Sequence, residues 1–272
     1  MKSSITDSIK SLPPLSKTIM DINKIHADPE ASIMDLAKVV EHDPMIIANL
    51  LKAANSPLYG FAKEIRNASQ AVSLFGMSMT RSIALSNAVR KLLNVDMQPY
   101  GITSEKFAEI SDLQATLMMQ WYKQIDKAKA DKLYLATFLQ ETGKILIANS
   151  IIQDDEGTSF YSEIELSNNI AQVEKMYIQM TSSDISSEIF KHWNFDEEFV
   201  AMIKYADDPQ SAPGEIKEFA TALNIVKSIV PVNKPFSQTA VNIGLKKASD
   251  AGYKQEPLEN AVNNILKTIG KQ

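Results

Sequence analysis

Four polar side chains recur at helical spacing inside the longest apolar run of this 272-residue sequence. The run extends from Asp131 to Ser150, and its polar members are Thr137, Gln140, Glu141 and Lys144. These residues occupy positions i, i+3, i+4 and i+7, which a helix gathers on one face. Whatever that polar stripe faces is the best candidate for a functional site. The alternative is that the stripe faces water, with Glu141 and Lys144 as an i,i+3 ion pair.

The stripe needs a helix to position it, and the residues around it are apolar on almost every side. This pattern predicts one central helix over Asp131 to Ser150, enclosed by other helices. Gly143 lies inside the predicted helix, where glycine costs about 1 kcal/mol relative to alanine. We therefore expect Gly143 to permit the close approach of another helix. Periods near 3.6 recur along the chain and alternating β-rich runs do not, so the predicted fold class is all-α.

Composition narrows the classes of partner and compartment. The net charge is -5, and only three of the 28 basic residues are arginine, which argues against nucleic acid as the main partner. Cysteine is absent, so disulfides, thiolate metal sites and cysteine nucleophiles are excluded. No N-terminal apolar segment resembles a signal peptide and no apolar run reaches about 18 residues. We expect a soluble cytoplasmic protein that does not interact with membranes.

Turn and cap signals divide the rest of the chain. Asp207 to Gly214 is a turn-rich octet, which predicts a boundary between a domain at 1–209 and a C-terminal helical cap or subdomain at 210–272. Before this boundary, a helix is expected from Ser162 to Met180. Asn194 and Glu197 then have the spacing of a capping box for the following helix.

Histidine is scarce, which limits metal chemistry. The three histidines are His26, His42 and His192, on separate predicted helices. The His42-Asp43 doublet matches the metal-binding signature of HD phosphohydrolases, but Asp43 precedes Pro44 and is explained as a helix N-cap. His26 and His42 lie near helix ends, and His192 adjoins Trp193, where a surface or capping role is the ordinary explanation.

A set of short motifs in the first half of the chain resembles the HDOD domain, a bacterial signalling domain related to HD phosphohydrolases. The motifs are Leu12-Pro13-Pro14-Leu15, Asp43-Pro44, Leu50-Leu51, Ala54-Asn55-Ser56-Pro57, Gly60, Ile65, Ala71 and Leu74-Phe75-Gly76. Trp193 resembles the tryptophan that ends a helix in the second half of that domain, and the resemblance runs from about Leu12 to Pro209. It implies an HD-domain-like multi-helix bundle with a C-terminal helical extension, and a role in signal transduction.

The metal-ligand positions of catalytic HD enzymes can be carried over onto this chain through the resemblance. The first histidine corresponds to Ile110, the HD doublet to Gln140-Glu141, a later histidine to Ser182, and a double-histidine position to Ala206-Asp207. The remaining aspartate falls near Asn224. No position holds a histidine, so the resemblance implies a degenerate metal site with no catalytic residue, no bound metal and no cofactor.

These observations favour a non-catalytic regulatory module that acts by binding signalling proteins or a small ligand. The degenerate positions, with Lys144 beside them, would form a packed or weakly polar pocket. The alternative is a residual metal-dependent phosphohydrolase or a nucleotide or cyclic-dinucleotide binder. In that case Glu141 and Asp207 would hold Mg²⁺ and Lys144 would contact phosphate.

Overall fold

The computed structural model describes residues 2–61, 64–93 and 96–270, and within these ranges the chain is helical with no strand. The all-α prediction is therefore confirmed. In chain order the helices are α1 (Lys2–Lys10), α2 (Lys17–Ala27), α3 (Ile33–Val40), α4 (Pro44–Ala54), α5 (Ala68–Leu93), α6 (Ser104–Tyr122), α7 (Lys127–Leu139), α8 (Gly143–Gln153), α9 (Gly157–Leu166), α10 (Ile170–Ile178), α11 (Ser182–His192), α12 (Glu197–Lys204), α13 (Ile216–Ile229), α14 (Gln238–Asp250) and α15 (Gln255–Thr268). None of these helices is long and apolar enough to cross a bilayer.

The aspartate of the His42-Asp43 doublet acts as a helix cap. Asp43 Oδ1 accepts hydrogen bonds from the backbone N–H groups of Met45 at 3.0 Å and Ile46 at 3.2 Å. Pro44 occupies the first helical position, where the missing N–H has no intrahelical partner to lose. The doublet therefore begins α4, as its sequence context predicts.

The predicted central helix is broken, and the single-helix expectation over Asp131 to Ser150 is wrong. Helix α7 ends at Leu139 and α8 begins at Gly143. At the break, the carbonyl oxygen of Leu139 accepts from Thr142 Oγ1 at 2.7 Å, and the N–H of Gly143 donates to Ser186 Oγ on α11 at 2.7 Å. These bonds replace the i→i−4 ladder locally, which a periodicity argument cannot foresee.

Two further helix predictions are wrong at their boundaries. The expected helix from Ser162 to Met180 is two helices, because Asn233 donates to the carbonyl oxygens of Ile164 and Ser167 and holds the chain open between them. The predicted capping box of Asn194 and Glu197 does not form. Asn194 has a left-handed φ of 56°, and the cap of α12 is Asp196, which accepts from Phe199 N at 2.8 Å.

One hydrophobic core joins the helices before and after the Asp207 to Gly214 turn. Its members extend from Ile5 in α1 to Ile265 in α15. Helix α13 packs against α6, α7 and α12, and α8 packs against α11. The division into 1–209 and 210–272 stays a prediction, because a shared core neither requires nor forbids separate folding units.

Candidate functional site

The polar stripe of the sequence lies inside the protein. Thr137, Gln140, Glu141 and Lys144 are each at most 2% exposed, so the alternative that this stripe faces water is wrong. Thr137 bonds only its own helix, donating to Leu133 O at 2.7 Å. The expected ion pair does form, with Lys144 Nζ 3.3 Å from Glu141 Oε2, but in the interior.

Lys144 connects α8 to the middle of α10 and to the start of α11. Its Nζ also contacts Glu174 Oε1 on α10 and lies 3.2 Å from Ser182 Oγ at the start of α11. Glu174 in turn accepts from the hydroxyl of Tyr100 at 3.0 Å and from Ser182 N at 2.7 Å. Burial, together with the charge of Glu174, raises the pKa of Tyr100 well above its ordinary value.

Lys227 brings a second ammonium to the same centre from α13. Its Nζ lies 2.7 Å from Asp207 Oδ1 and 3.6 Å from Glu141 Oε2, and it donates to Ser183 Oγ at 3.2 Å. Burial alone would raise the pKa of Asp207, but Lys227 outweighs it and holds that pKa below its ordinary value. Burial alone would lower the pKa of Lys227, but Asp207 and Glu141 outweigh it and raise that pKa. Both groups are charged at neutral pH.

A glutamine completes the polar lining of this centre. Gln114 Nε2, on α6, donates to Glu141 Oε1 at 3.1 Å and to the carbonyl oxygen of Val230 at 2.8 Å. Gln140 Nε2 donates to Gln114 Oε1 at 2.8 Å. The amide of Gln114 therefore joins α6, the α7–α8 turn and the end of α13.

The structure brings most of the predicted site residues into one group, which we call the ion-pair cluster. Its charged members are Glu141, Lys144, Glu174, Asp207 and Lys227, and its polar members are Tyr100, Gln114, Gln140, Ser182 and Ser183. Ala206 is buried next to Asp207 in the chain, and its carbonyl oxygen accepts a hydrogen bond from Asn224 Nδ2 at 2.6 Å.

Ile110 does not join the cluster. It lies fully buried in the hydrophobic core, one helical turn before Gln114. The residue of α6 that reaches the centre is therefore Gln114, one turn beyond the position carried over from the family pattern.

The three histidines lie elsewhere. His26 contacts Arg81 Nη1 at 3.3 Å, and burial together with that guanidinium lowers the pKa of His26. His42 Nδ1 lies 2.5 Å from Lys38 O, and His192 Nε2 lies 3.2 Å from Leu12 O. Histidine thus plays no part in the cluster.

Sequence reasoning missed five residues that complete the cluster: Tyr100, Gln114, Glu174, Ser183 and Lys227. Only Lys227 carries a usable signal, because it is the single charged residue between Glu218 and Lys234 in an otherwise apolar stretch. A lone charge on an apolar helix face needs a buried partner. Glu174 and Gln114 stand among ordinary polar residues of amphipathic helices and carry no such signal.

The residues of the cluster do not fit a metal site of the HD type. Both Glu141 and Asp207 already lie within ion-pair distance of a lysine, and the ligand positions carry no imidazole. Within residues 2–61, 64–93 and 96–270, no group of three or more histidine, cysteine, aspartate or glutamate side chains is arranged to hold an ion. A divalent cation here would have to displace a buried ammonium.

A cavity of about 280 Å³ opens beside the cluster. Glu141, Lys144, Asp207 and Lys227 form its inner wall. The rest of its wall comes from the α9–α10 connection, from α13 and the connection that follows it, and from α14. The cluster therefore forms one side of this cavity.

Comparison with known proteins gives one curated relative and several solved structures. An uncharacterized protein of Treponema pallidum (strain Nichols) is 20% identical over 230 residues, or 80% of this chain, and the chain spans only 42% of that relative's length. A Shewanella amazonensis SB2B protein, named provisionally as a phosphohydrolase, superposes with a TM-score of 0.73 at 18% identity, covering 99% of this chain and 96% of its own. A Marinobacter aquaeolei VT8 protein, named provisionally as a signal transduction protein, superposes with a TM-score of 0.71 at 21% identity, covering 95% of this chain and 57% of its own.

At these identities the solved structures establish the fold and nothing further. The family itself is established by sequence, because the HDOD domain matches residues 12–209 and thus more than half of the chain. This match includes the motifs around Asp43-Pro44 and Trp193. The chain therefore belongs to the HDOD domain family.

Proposed function

We propose that this protein is a non-catalytic signal-transduction module that acts by binding, with its ion-pair cluster in the place where related hydrolases hold metal ions. Membership of the HDOD family supports a signalling role. The similar fold of the Marinobacter protein, whose name refers to signal transduction, is consistent with it. Signalling proteins are the proposed partners, and a small ligand is the proposed input.

One observation carries the non-catalytic part of the proposal. Glu141, Glu174 and Asp207 each contact the ammonium of Lys144 or Lys227, so each acid that could ligate a metal already has a cationic partner. Removing one partner of a buried ion pair costs about 3–5 kcal/mol, because it leaves an uncompensated charge. A metal would have to offset that cost with two carboxylates and no imidazole.

The alternative function is residual hydrolysis through Mg²⁺ held by Glu141 and Asp207. It would incur this free-energy cost. Both carboxylates would have to release Lys227, whose Nζ lies between them at 3.6 Å from Glu141 Oε2 and 2.7 Å from Asp207 Oδ1. Activation of a metal-bound water also needs an open coordination position and a converging ligand set.

Metal binding and turnover test the proposal together. The purified protein is titrated with Mn²⁺, Mg²⁺ and Zn²⁺ by calorimetry, and assayed with each metal on a chromogenic phosphodiester and on cyclic dinucleotides. We expect neither stoichiometric binding at the cluster nor turnover. Metal-dependent hydrolysis that is lost in Glu141→Gln and kept in Glu188→Gln, an exposed carboxylate on α11, would overturn the proposal.

A further inference from the structure

The cavity beside the ion-pair cluster carries an excess of positive charge. Its wall includes four lysines and two carboxylates. Both carboxylates are within ion-pair distance of Lys144 or Lys227. The other two lysines, Lys234 and Lys247, have no carboxylate within 4.0 Å in the part of the chain that the structure describes. These two lysines, both exposed, therefore have no acidic partner; with Glu174, which pairs with Lys144, counted, the four lysines exceed the three carboxylates by one charge, in a protein whose net charge is -5.

The hydrogen bonds of these two lysines orient them without neutralising them. Lys247 Nζ donates to Asn224 Oδ1 at 2.7 Å and to Ser228 Oγ at 2.9 Å. Lys234 Nζ donates to the backbone carbonyl oxygen of Glu165. All three acceptors are uncharged. An anion in the cavity would add hydrogen bonds in which both partners are charged, which these two lysines lack in the described structure.

The start of α10 lies in the same wall. Ile170 and Ala171 line the cavity and are the first two residues of this nine-residue helix. The first amides of a helix have no intrahelical acceptor. The side chain of Asn169 accepts from Gln172 N at 3.3 Å, so it satisfies a later amide and not these two. The positive end of the helix dipole thus adds to the charge of the lysines.

We propose that this cavity binds a small phosphorylated molecule, with its phosphate group held by Lys234, Lys247 and the amides of Ile170 and Ala171. A phosphate monoester carries up to two negative charges, and its oxygens can contact both Lys234 and Lys247. A volume of about 280 Å³ exceeds that of phosphate itself and lies just below the range of typical ligand pockets, so a sugar phosphate or a mononucleotide fits its scale.

This inference rests on the proposed binding function and names the class of its ligand. Lys227, Lys234 and Lys247 all follow Pro209, the last residue of the family match. The C-terminal extension therefore supplies most of the positive charge of the cavity. The domain alone would lack the site, and we expect the ligand to be sensed through the extension.

Phosphate binding is tested on the full chain by calorimetry and by thermal unfolding. The probes are inorganic phosphate and adenosine 5′-monophosphate, with adenosine and with sodium chloride at matched ionic strength as controls. We expect both phosphate probes to bind and to raise the unfolding temperature, while adenosine and chloride do not. Replacing Lys234 or Lys247 with methionine should weaken binding by about tenfold each, the scale of one lost charge-assisted hydrogen bond.

Lys246→Met is the matched control, because Lys246 is exposed like its neighbour Lys247 in α14 but does not line the cavity. It should bind both probes as the unsubstituted protein does. The inference is overturned if neither probe binds at about 10 mM, ten times a millimolar dissociation constant. It is also overturned if the lysine substitutions and the control weaken binding equally.

Two further outcomes separate this inference from the proposed function. A short single-stranded oligonucleotide that competes as well as the mononucleotide would overturn the limit to small molecules. Failure of phosphate binding with no metal-dependent turnover would overturn this inference and leave the non-catalytic proposal standing. Turnover that is lost in Glu141→Gln would overturn the proposed function whether or not phosphate binds.

Discussion

Gly143 lies so close to Ser182 that a side chain cannot be placed between them. A Cβ atom built on Gly143 would stand 2.2 Å from the carbonyl oxygen of Ser182 and 2.9 Å from the backbone nitrogen of Ser186. Both atoms are backbone, so neither can rotate away. The close approach of another helix predicted for Gly143 is confirmed, with α11 as that helix. The contact also places Ser182 next to Lys144 in the ion-pair cluster.

Gly143→Ala should destabilise the protein by more than an ordinary overpacked core substitution, which costs about 1–3 kcal/mol, because α8 and α11 must separate. The measurement is the free energy of unfolding in urea. Gly157→Ala is the control, since nothing lies within 4 Å of its added Cβ, and it should be neutral or slightly stabilising. Equal effects of the two substitutions would contradict the close approach.

Lys227→Met should destabilise the protein by about 3–5 kcal/mol, because it leaves Asp207 buried without its cation. Adding Asp207→Asn should recover part of that loss, since the stranded charge is then removed. Lys217→Met, at an exposed position of the same helix, should leave the free energy of unfolding unchanged. If the double substitution lowers the free energy of unfolding by more than the two single losses added together, the ion pair is not the source of the effect.

The Asp207 carboxylate also predicts a pH dependence. Its pKa is lowered in the folded protein from an ordinary value of 3.8, so its stabilising contribution is complete above that pH. The contribution is lost as the pH falls below 3.8 toward the folded pKa. Urea unfolding at a series of acid pH values should show this loss in the unsubstituted protein. Asp207→Asn should show a smaller loss over the same range, and an identical profile would argue against the assignment.

Asp112, on α6, should show the opposite dependence. Burial raises its pKa from 3.8 to about 6, a change that Arg90 and Lys52 reduce and Glu109 adds to. The protonated form is favoured in the folded state, so the contribution of Asp112 to stability is greatest below pH 4 and is lost as the pH rises to about 6.

Asp112→Asn should therefore stabilise the protein by about 3 kcal/mol at pH 7.5 and have little effect at pH 4, at about 1.36 kcal/mol per unit of pKa shift. Asp131→Asn, at an exposed position of α7, serves as the control and should be neutral at both pH values. Unfolding curves at the two pH values make the comparison. A gain that is the same at pH 4 and pH 7.5 would rule out titration of Asp112 as its cause.

A chain ending at Pro209 tests the predicted boundary. It would lack Lys227 and the carbonyl of Val230 that accepts from Gln114, and it would expose the faces of α6 and α7 that α13 covers. We expect this shortened chain to unfold in urea without a cooperative transition. We also expect its helical circular dichroism to be weaker than its length predicts. Cooperative unfolding with full helical content would instead make 1–209 an independent domain.

The sequence predicted the fold class, the cap at Asp43 and the grouping of Gln140, Glu141 and Lys144 at one place, because each of these depends on local spacing. It failed at Gly143 and at Asn233, where bonds to distant helices interrupt a helical pattern. Such bonds have no periodic signature, since the donor and the acceptor lie far apart in the chain.

Only the part of the site that lies within the family match was predictable from the sequence. The family pattern led to Ser182 and Asp207, but it pointed to Ile110 where α6 places Gln114 one turn later. Lys234 and Lys247 lie beyond the family match and look like ordinary surface lysines in the sequence. Their meaning depends on a cavity that forms only when the last helices fold against the rest of the chain.

The amide of Gln114 has a mechanical consequence. Because one nitrogen bonds both Glu141 and the carbonyl of Val230, a shift of α13 by the length of a hydrogen bond would leave that carbonyl without this donor and one N–H of Gln114 without its acceptor. An outward movement of α13 would therefore change the hydrogen bonding of the residue that also donates to Glu141. Gln114 in this way couples the C-terminal helices mechanically to the ion-pair cluster.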